Sequence, residues 1–265
     1  MYGVIACKDV RVPLQMTNAG DPARTLALLW RDESAVPRRG PRRAFTLDQV
    51  LDVAIAVADE VGAEALTIRR VAQALDAAPM TIYTYVPGKA ELLDLMLDVV
   101  YARMPRTGTS GQPWRQRLTE VAEENRAMFL SHPWTIEVST LRPLLGPGAV
   151  AKYEHELSAV DGLGLTDVQM DDCLTLLLMF VHANARAAHE ADTVQQTTTM
   201  TDEQWWASVG PLLGRVLTPD AYPLASRVGA AAGAAHGSAH DPAHSYDFGL
   251  QRLLDGLAAL IDPHH

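Results

Sequence analysis

Met80, Thr81, Tyr83, Thr84 and Tyr85 crowd six consecutive positions with methyl, hydroxyl and aromatic groups and no carboxylate. Such a set suits phosphate oxygens and thymine methyls. Upstream, Arg38, Arg39, Arg42 and Arg43 share a short segment with Pro37, Gly40 and Pro41, and their guanidinium groups suit phosphates or a minor groove. His236, His240 and His244 recur every four residues, which on a helix would gather them for a metal. They lie in an Ala/Gly stretch interrupted by Pro242, so no metal site is assigned. No nucleophile elbow, phosphate-binding glycine loop, HExxH or paired-cysteine pattern occurs, and neither a catalytic residue nor a cofactor is expected.

The elements that must carry these groups are all helical by periodicity. Thr46 and Gln49 have capping-box spacing ahead of Leu47, Val50, Leu51, Ala54, Val57, Ala58 and Val61, a helix that Gly62 ends. Thr67 caps a second helix reaching Leu75, with Ile68, Val71 and Ala72 inward and Arg69, Arg70 and Gln73 outward. Pro79 opens a third, about 79–85, in which Ile82 and Val86 lock the element while the set at 80–85 faces out. A fourth follows Pro87-Gly88 over 89–103. Two short helices joined by a tight turn are the parts of a helix-turn-helix. Further helices are predicted over 21–31, 113–131, 148–162, 166–191, 202–217 and 246–261, no stretch alternates like a half-buried strand, and 192–201 and 229–245 read as mobile. The fold class is therefore all-α, with an extension at 1–45, a helix-turn-helix domain at 46–104 and a larger helical domain at 105–265.

The 265 residues carry 22 basic and 32 acidic side chains, a net charge of −10, which taken alone argues against a polyanionic partner. The charge is uneven: residues 1–104 sum to −1 and 105–265 to −9. Cys7 and Cys173 suggest no disulfide framework and a reducing cytoplasm. The longest apolar run, 176–181, is far too short to span a membrane, and no signal peptide is evident.

LTIRRVAQAL (66–75) and PMTIYTYVPGKAELLDLM (79–96) resemble the N-terminal domain of the tetracycline-repressor (TetR) family of transcription regulators. The leading DPARTLALLWR, the PRRGPRR arm and YDFGLQRLLDGLAALI (246–261) are similar to its tetracycline-repressor branch. The resemblance implies a ligand-responsive regulator, a repressor in the first instance, on palindromic double-stranded operator DNA. It puts Thr67, Tyr83 and Lys89 on backbone phosphates, makes Met80, Thr81, Thr84 and Tyr85 candidates for base contact beside Arg69, and gives the arginine arm a minor groove or flanking phosphates. Where family members usually carry Gly-Val-Ser in the turn, this chain has Asp76-Ala77-Ala78, which puts a carboxylate near DNA and removes a capping hydroxyl.

The resemblance further implies a homodimer and a small-molecule effector. Segment 166–191 is apolar nearly all round between Leu174 and Val181, and 246–261 aligns Phe248, Leu250, Leu253, Leu254, Leu257 and Leu260, so the two suit a four-helix dimer interface. Candidate effector contacts are His132, Trp134, Leu141, Tyr153, Met179, His182, Asn184, Arg186, Trp205 and Trp206. A helical small-molecule-binding protein or enzyme with a merely structural N-terminal unit is the competing class.

Overall fold

The computed structural model describes residues 15–16, 20–32, 44–108, 111–139, 142–198, 200–237 and 241–262. The chain forms two units, Met1–Asp161 and Gly162–His265.

In the first unit Asp21 caps α1 (Pro22–Leu29), accepting from the Ala23 amide at 3.0 Å. The predicted capping box opens α2 (Leu47–Ala65): Thr46 Oγ1 accepts from the Gln49 amide and Gln49 Oε1 from the Thr46 amide, at 3.1 and 2.8 Å. Gly62 interrupts this helix with φ of 80°, a conformation open to glycine at little steric cost. The broken end is held by Glu137, whose Oε2 accepts from the Ala63 and Glu64 amides at 3.1 and 3.3 Å. Next come α3 (Ile68–Ala74), α4 (Pro79–Ile82), α5 (Lys89–Arg103), α6 (Trp114–Ser131), a 3-10 turn at Pro133–Glu137 and α7 (Pro147–Ser158).

The core of this unit gathers Leu51, Ala54, Leu66, Val71, Ile82, Val86, Leu92, Met96 and Trp134, so the short helices are stabilised by burial rather than by their own length. Helices α5 and α7 cross closely at Gly148, and the Asp98 carboxylate of α5 accepts from the Gly148 and Ala149 amides at 3.2 and 2.9 Å, capping α7. Burial pushes the Asp98 carboxyl above the usual carboxylate range, against the pull of those two amides. Nearby, buried Glu156 pairs with Lys152 at 2.5 Å and accepts a hydrogen bond from Asn125 Nδ2 at 2.6 Å. A single short ladder accompanies the helices and leaves the fold all-α: β1 (Gln15–Met16) pairs in parallel with β2 (Val138–Ser139). Two residues per strand are too few to leave an alternating pattern in sequence.

The second unit holds α8 (Asp167–Thr198), α9 (Asp202–Val216), α10 (Pro223–His236) and α11 (Pro242–Ile261). Helix α8 continues through much of the stretch expected to be mobile, because extending an existing helix costs far less than starting one. The Ala-rich 229–236 is likewise helical, in keeping with alanine's propensity, and α11 starts at Pro242, capped by Asp241 at 3.0 and 3.1 Å. Helices α8 and α11 pack through Leu174, Leu177 and Val181 against Tyr246, Leu250 and Leu254, with Phe180 stacked on Tyr246 at 5.7 Å. No described helix is long and apolar enough to cross a membrane.

Candidate nucleic-acid interface

Helix α3 begins at Thr67, whose hydroxyl accepts from the Arg70 amide at 3.2 Å while the residue stays exposed; Arg69, Arg70 and Gln73 line the same outer face. The helix ends in a turn at Asp76, which adopts φ of 51°. An L-residue other than Gly, Asn or Asp would pay about 1–2 kcal/mol there, so aspartate is a tolerable stand-in for glycine. Ala78 then occupies the cap of α4 with no side-chain hydrogen bond, as its missing hydroxyl predicts.

Helix α4 is shorter than the expected 79–85, and turn bonds carry the chain onward: Thr84 N to Thr81 O at 3.1 Å and Tyr85 N to Ile82 O at 2.8 Å. Ile82 and Val86 are fully buried beneath it. Met80 is 71% exposed and Tyr83 45%, Thr84 is exposed and Thr81 half-buried, which yields the methyl, hydroxyl and aromatic face expected. Tyr85 does not belong to it. Its ring is 4% exposed, and its hydroxyl donates to the Phe45 carbonyl at 2.8 Å and accepts from the Phe45 amide at 2.9 Å. At i+3 from Ile82 the helical period already puts Tyr85 on the buried side with Val86, which the expected outward set overlooked.

Lys89 heads α5, and its ammonium donates to the Glu64 carbonyl at 2.9 Å. Partial burial lowers its pKa from the ordinary lysine value, while Glu64 and Glu137 pull the other way. A phosphate arriving at this corner would compete with one main-chain carbonyl. Arg38, Arg39, Arg42 and Arg43 lie outside the described residues, but both flanks are described: Arg31 pairs with Asp48 at 2.7 Å, and Phe45 is held by Tyr85.

Within neither unit do the described candidate effector contacts gather around a cavity. In the first unit, Trp134 is 1% exposed and part of the core behind α2, its indole N–H donating to Asp59 Oδ1 at 2.9 Å; His132 Nδ1 meets the same oxygen at 2.8 Å. These two residues therefore brace α2 rather than line a cavity. Tyr153 is 44% exposed, and Leu141 lies outside the described residues. In the second unit Met179 points outward, Arg186 pairs with Glu190 at 2.9 Å, and Asn184 donates to the Pro242 carbonyl at 2.8 Å. His182 is half-buried, Trp205 is exposed, and Trp206 packs near Gly233. Clefts of about 420 Å³, between α1 and residues 142–145, and about 440 Å³, near Gln195 and Thr201, include none of the ten. His236 and His244 face each other at 4.5 Å, His240 lies outside the described residues, and no group of three metal-ligating side chains forms among those described.

Sequence reasoning missed Asp59, Glu137 and Asp98 as anchors. Asp59 and Glu137 act across about seventy positions, and Asp98 across about fifty, so no local pattern could have announced them.

Residues 50–96 match the description "Bacterial regulatory proteins, tetR family", and 105–261 match "Tetracyclin repressor-like, C-terminal domain". The chain is 38% identical over 248 residues to the HTH-type transcriptional repressor DrrR1 of Streptomyces coeruleorubidus, covering 93% of this chain and 89% of that one. It is similar to ActR of Streptomyces coelicolor in complex with actinorhodin, at 26% identity and a TM-score of 0.69 over 83% of this chain and 98% of that one. The tetracycline repressor protein class E of Escherichia coli is 24% identical over 223 residues, 82% of this chain and 93% of that one. With the matched domain covering more than half its length, and the helix-turn-helix built as described, the chain belongs to the tetR family of transcription regulators.

Proposed function

We propose that this chain is a ligand-responsive repressor that holds a palindromic operator as a homodimer and leaves it when a small-molecule effector binds the part after residue 104. The observation that carries the DNA reading is the carboxylate-free face of Met80, Thr81, Tyr83 and Thr84, held rigid over buried Ile82 and Val86. Thr67, Tyr83 and Lys89 take phosphates, and Arg69, Met80, Thr81 and Thr84 read bases. Two such faces would enter successive major grooves about 34–36 Å apart.

For the dimer, α8 and α11 bury one apolar row against each other and leave a second uncovered: Leu176 is 51% exposed, Met179 67%, Phe248 58% and Leu260 42%. Large apolar side chains left exposed on a helix pair suit a partner, and a second copy supplies the matching surface. A relative crystallised with actinorhodin supports a small-molecule effector. The effector acts by binding the DNA-free state better, since equal affinity for both states shifts nothing. The protein works in the cytoplasm, without catalysis of its own.

A mobility-shift titration on the DNA flanking its own gene tests this. The wild-type chain should retard the fragment at low salt, and Tyr83→Phe and Lys89→Ala should weaken it. No retardation, or variants that behave like wild type, would sink the reading, and a monomer by analytical ultracentrifugation would remove the dimer.

A further inference from the structure

The break at Gly62 takes the Ala63 and Glu64 amides out of the ladder of an unbroken helix, and Glu137 Oε2 accepts from both, at 3.1 and 3.3 Å. The approach is close, since a Cβ at Gly62 would stand 3.1 Å from Glu137 Oε1. Glu137 projects from a firm base: Trp134, Thr135, Ile136 and Val138 around it are all buried. Earlier in the same segment His132 and Trp134 meet Asp59 Oδ1 at 2.8 and 2.9 Å, so residues 132–137 grip α2 at two levels.

The peptide that Glu137 holds also holds Lys89. The Glu64 carbonyl accepts from Lys89 Nζ at 2.9 Å, at the head of α5. That carbonyl takes one of the three N–H donors of the ammonium, and its place sets where the other two stand. A lysine stem already ordered in this way has less rotamer freedom to lose when a phosphate arrives. Charge adds to position: burial lowers the Lys89 pKa, and Glu64 and Glu137 oppose it by favouring the ammonium.

We infer that Glu137 is a positioning residue for Lys89: it touches no DNA, and by holding the 63–64 amides it fixes the carbonyl that sets the ammonium where a backbone phosphate arrives. This rests on the DNA reading proposed above, in which Lys89 meets a phosphate. It also gives the helix break a task, because the amides that Glu137 needs are free only where α2 is interrupted.

The test is a double-mutant comparison on a duplex selected from random-sequence DNA by the wild-type chain. Glu137→Ala should weaken binding on the order of threefold to tenfold, the equivalent of a net hydrogen bond. Its slope of log affinity against log salt should fall toward that of Lys89→Ala, which lacks one phosphate contact worth about 0.9. In the Lys89→Ala background the same substitution should change affinity less than about twofold, because the group it positions is gone. Glu137→Gln keeps an oxygen for the two amides and should bind within about twofold of wild type. The free protein supplies a readout without DNA: the chain has only Lys8, Lys89 and Lys152, so the Lys89 ε-methylene can be followed by NMR in lysine-labelled protein. Glu137→Gln should move its titration midpoint downward and leave that of Lys152 in place, and this measurement stands even should Glu137→Ala not fold. Equal losses in both backgrounds would overturn the inference, since Glu137 would then act through the fold alone. An unchanged affinity and salt slope in Glu137→Ala, or an unmoved Lys89 midpoint in Glu137→Gln, would overturn it too. A selection that returns no duplex would overturn the DNA reading and this role with it, whatever the midpoint does.

Discussion

Gly148→Ala should be among the most damaging single-methyl changes in the first unit. A Cβ at this position would lie well inside van der Waals contact with the Asp98 carbonyl oxygen and 3.0 Å from both the Cβ and the amide nitrogen of Ala102. Backbone cannot swing aside as a side chain can, so α5 and α7 must separate, at an overpacking cost of about 1–3 kcal/mol. Separation also strains the cap of α7. The Asp98 bond to the Gly148 amide is already 3.2 Å long, and losing a hydrogen bond to a charged group costs a further 1.5–3 kcal/mol or so. The total is roughly 2.5–6 kcal/mol. Gly111→Ala is the control: φ is 78° with nothing within 4 Å of the new methyl, so only the left-handed backbone is penalised, by about 1–2 kcal/mol. Urea unfolding followed by circular dichroism measures both. The two contributions can also be separated, since in an Asp98→Ala background Gly148→Ala should retain only its overpacking part. If Gly148→Ala falls within about 1 kcal/mol of wild type, or is no worse than Gly111→Ala, the close crossing of α5 and α7 is wrong.

Ala78→Ser restores a capping hydroxyl to α4 and should stabilise the chain by about 0.5–2 kcal/mol in a thermal melt, with no gain if the α4 amides are already satisfied. Asp76→Asn keeps a residue that tolerates the left-handed turn while removing a charge beside DNA, so affinity should rise with stability unchanged; an unaltered mobility shift would mean that Asp76 stands away from the duplex. Asp98→Asn probes the buried carboxyl. Its folded pKa is raised, so the stability contributed by the neutral form is complete below the unfolded value near 4 and is lost as pH rises through the folded value. The variant should therefore gain on wild type as pH rises through that window and hold the gain above it, and a gain that grows toward low pH would contradict the burial argument.

Where the physics is local, the sequence was enough. Thr46 with Gln49 and Thr67 before Ile68 mark helix starts that the structure reproduces, because a cap acts over three or four residues, and Pro87-Gly88 marks the break before Lys89. Buried Ile82 and Val86 followed from the same period that exposes Met80 and Tyr83. The same period puts Tyr85, at i+3 from Ile82, on the buried side, against its expected place in the outward set; what no local pattern announced is its partner Phe45, forty positions back. The period was silent on Trp134, which looked like an apolar ligand contact and proves to be a brace on α2 through Asp59. Composition misled in the Ala-rich stretch: low complexity read as mobility, but alanine is the best helix former, and Asp241 supplies the cap of α11.

The charge of −10 takes on a sharper meaning once the chain is divided by its own packing. Residues 162–265 hold four basic and twelve acidic side chains, a net of −8, leaving −2 on the unit that carries the helix-turn-helix. Several carboxylates of that unit are withdrawn from its surface. Asp94, Asp98 and Glu156 are buried; burial raises the Asp98 pKa, and Glu156 is paired with Lys152, which takes one charge of each sign out of play. Attraction to phosphate must then come from cations placed one by one: Arg69 and Arg70 on α3, Lys89 at the head of α5, and Arg38, Arg39, Arg42 and Arg43, which lie outside the described residues. Each phosphate contact adds about 0.9 to the slope of log affinity against log salt. With no diffuse positive field behind them, these few contacts make the slope a direct count of the cations engaged, and removing Lys89 should lower it by about one.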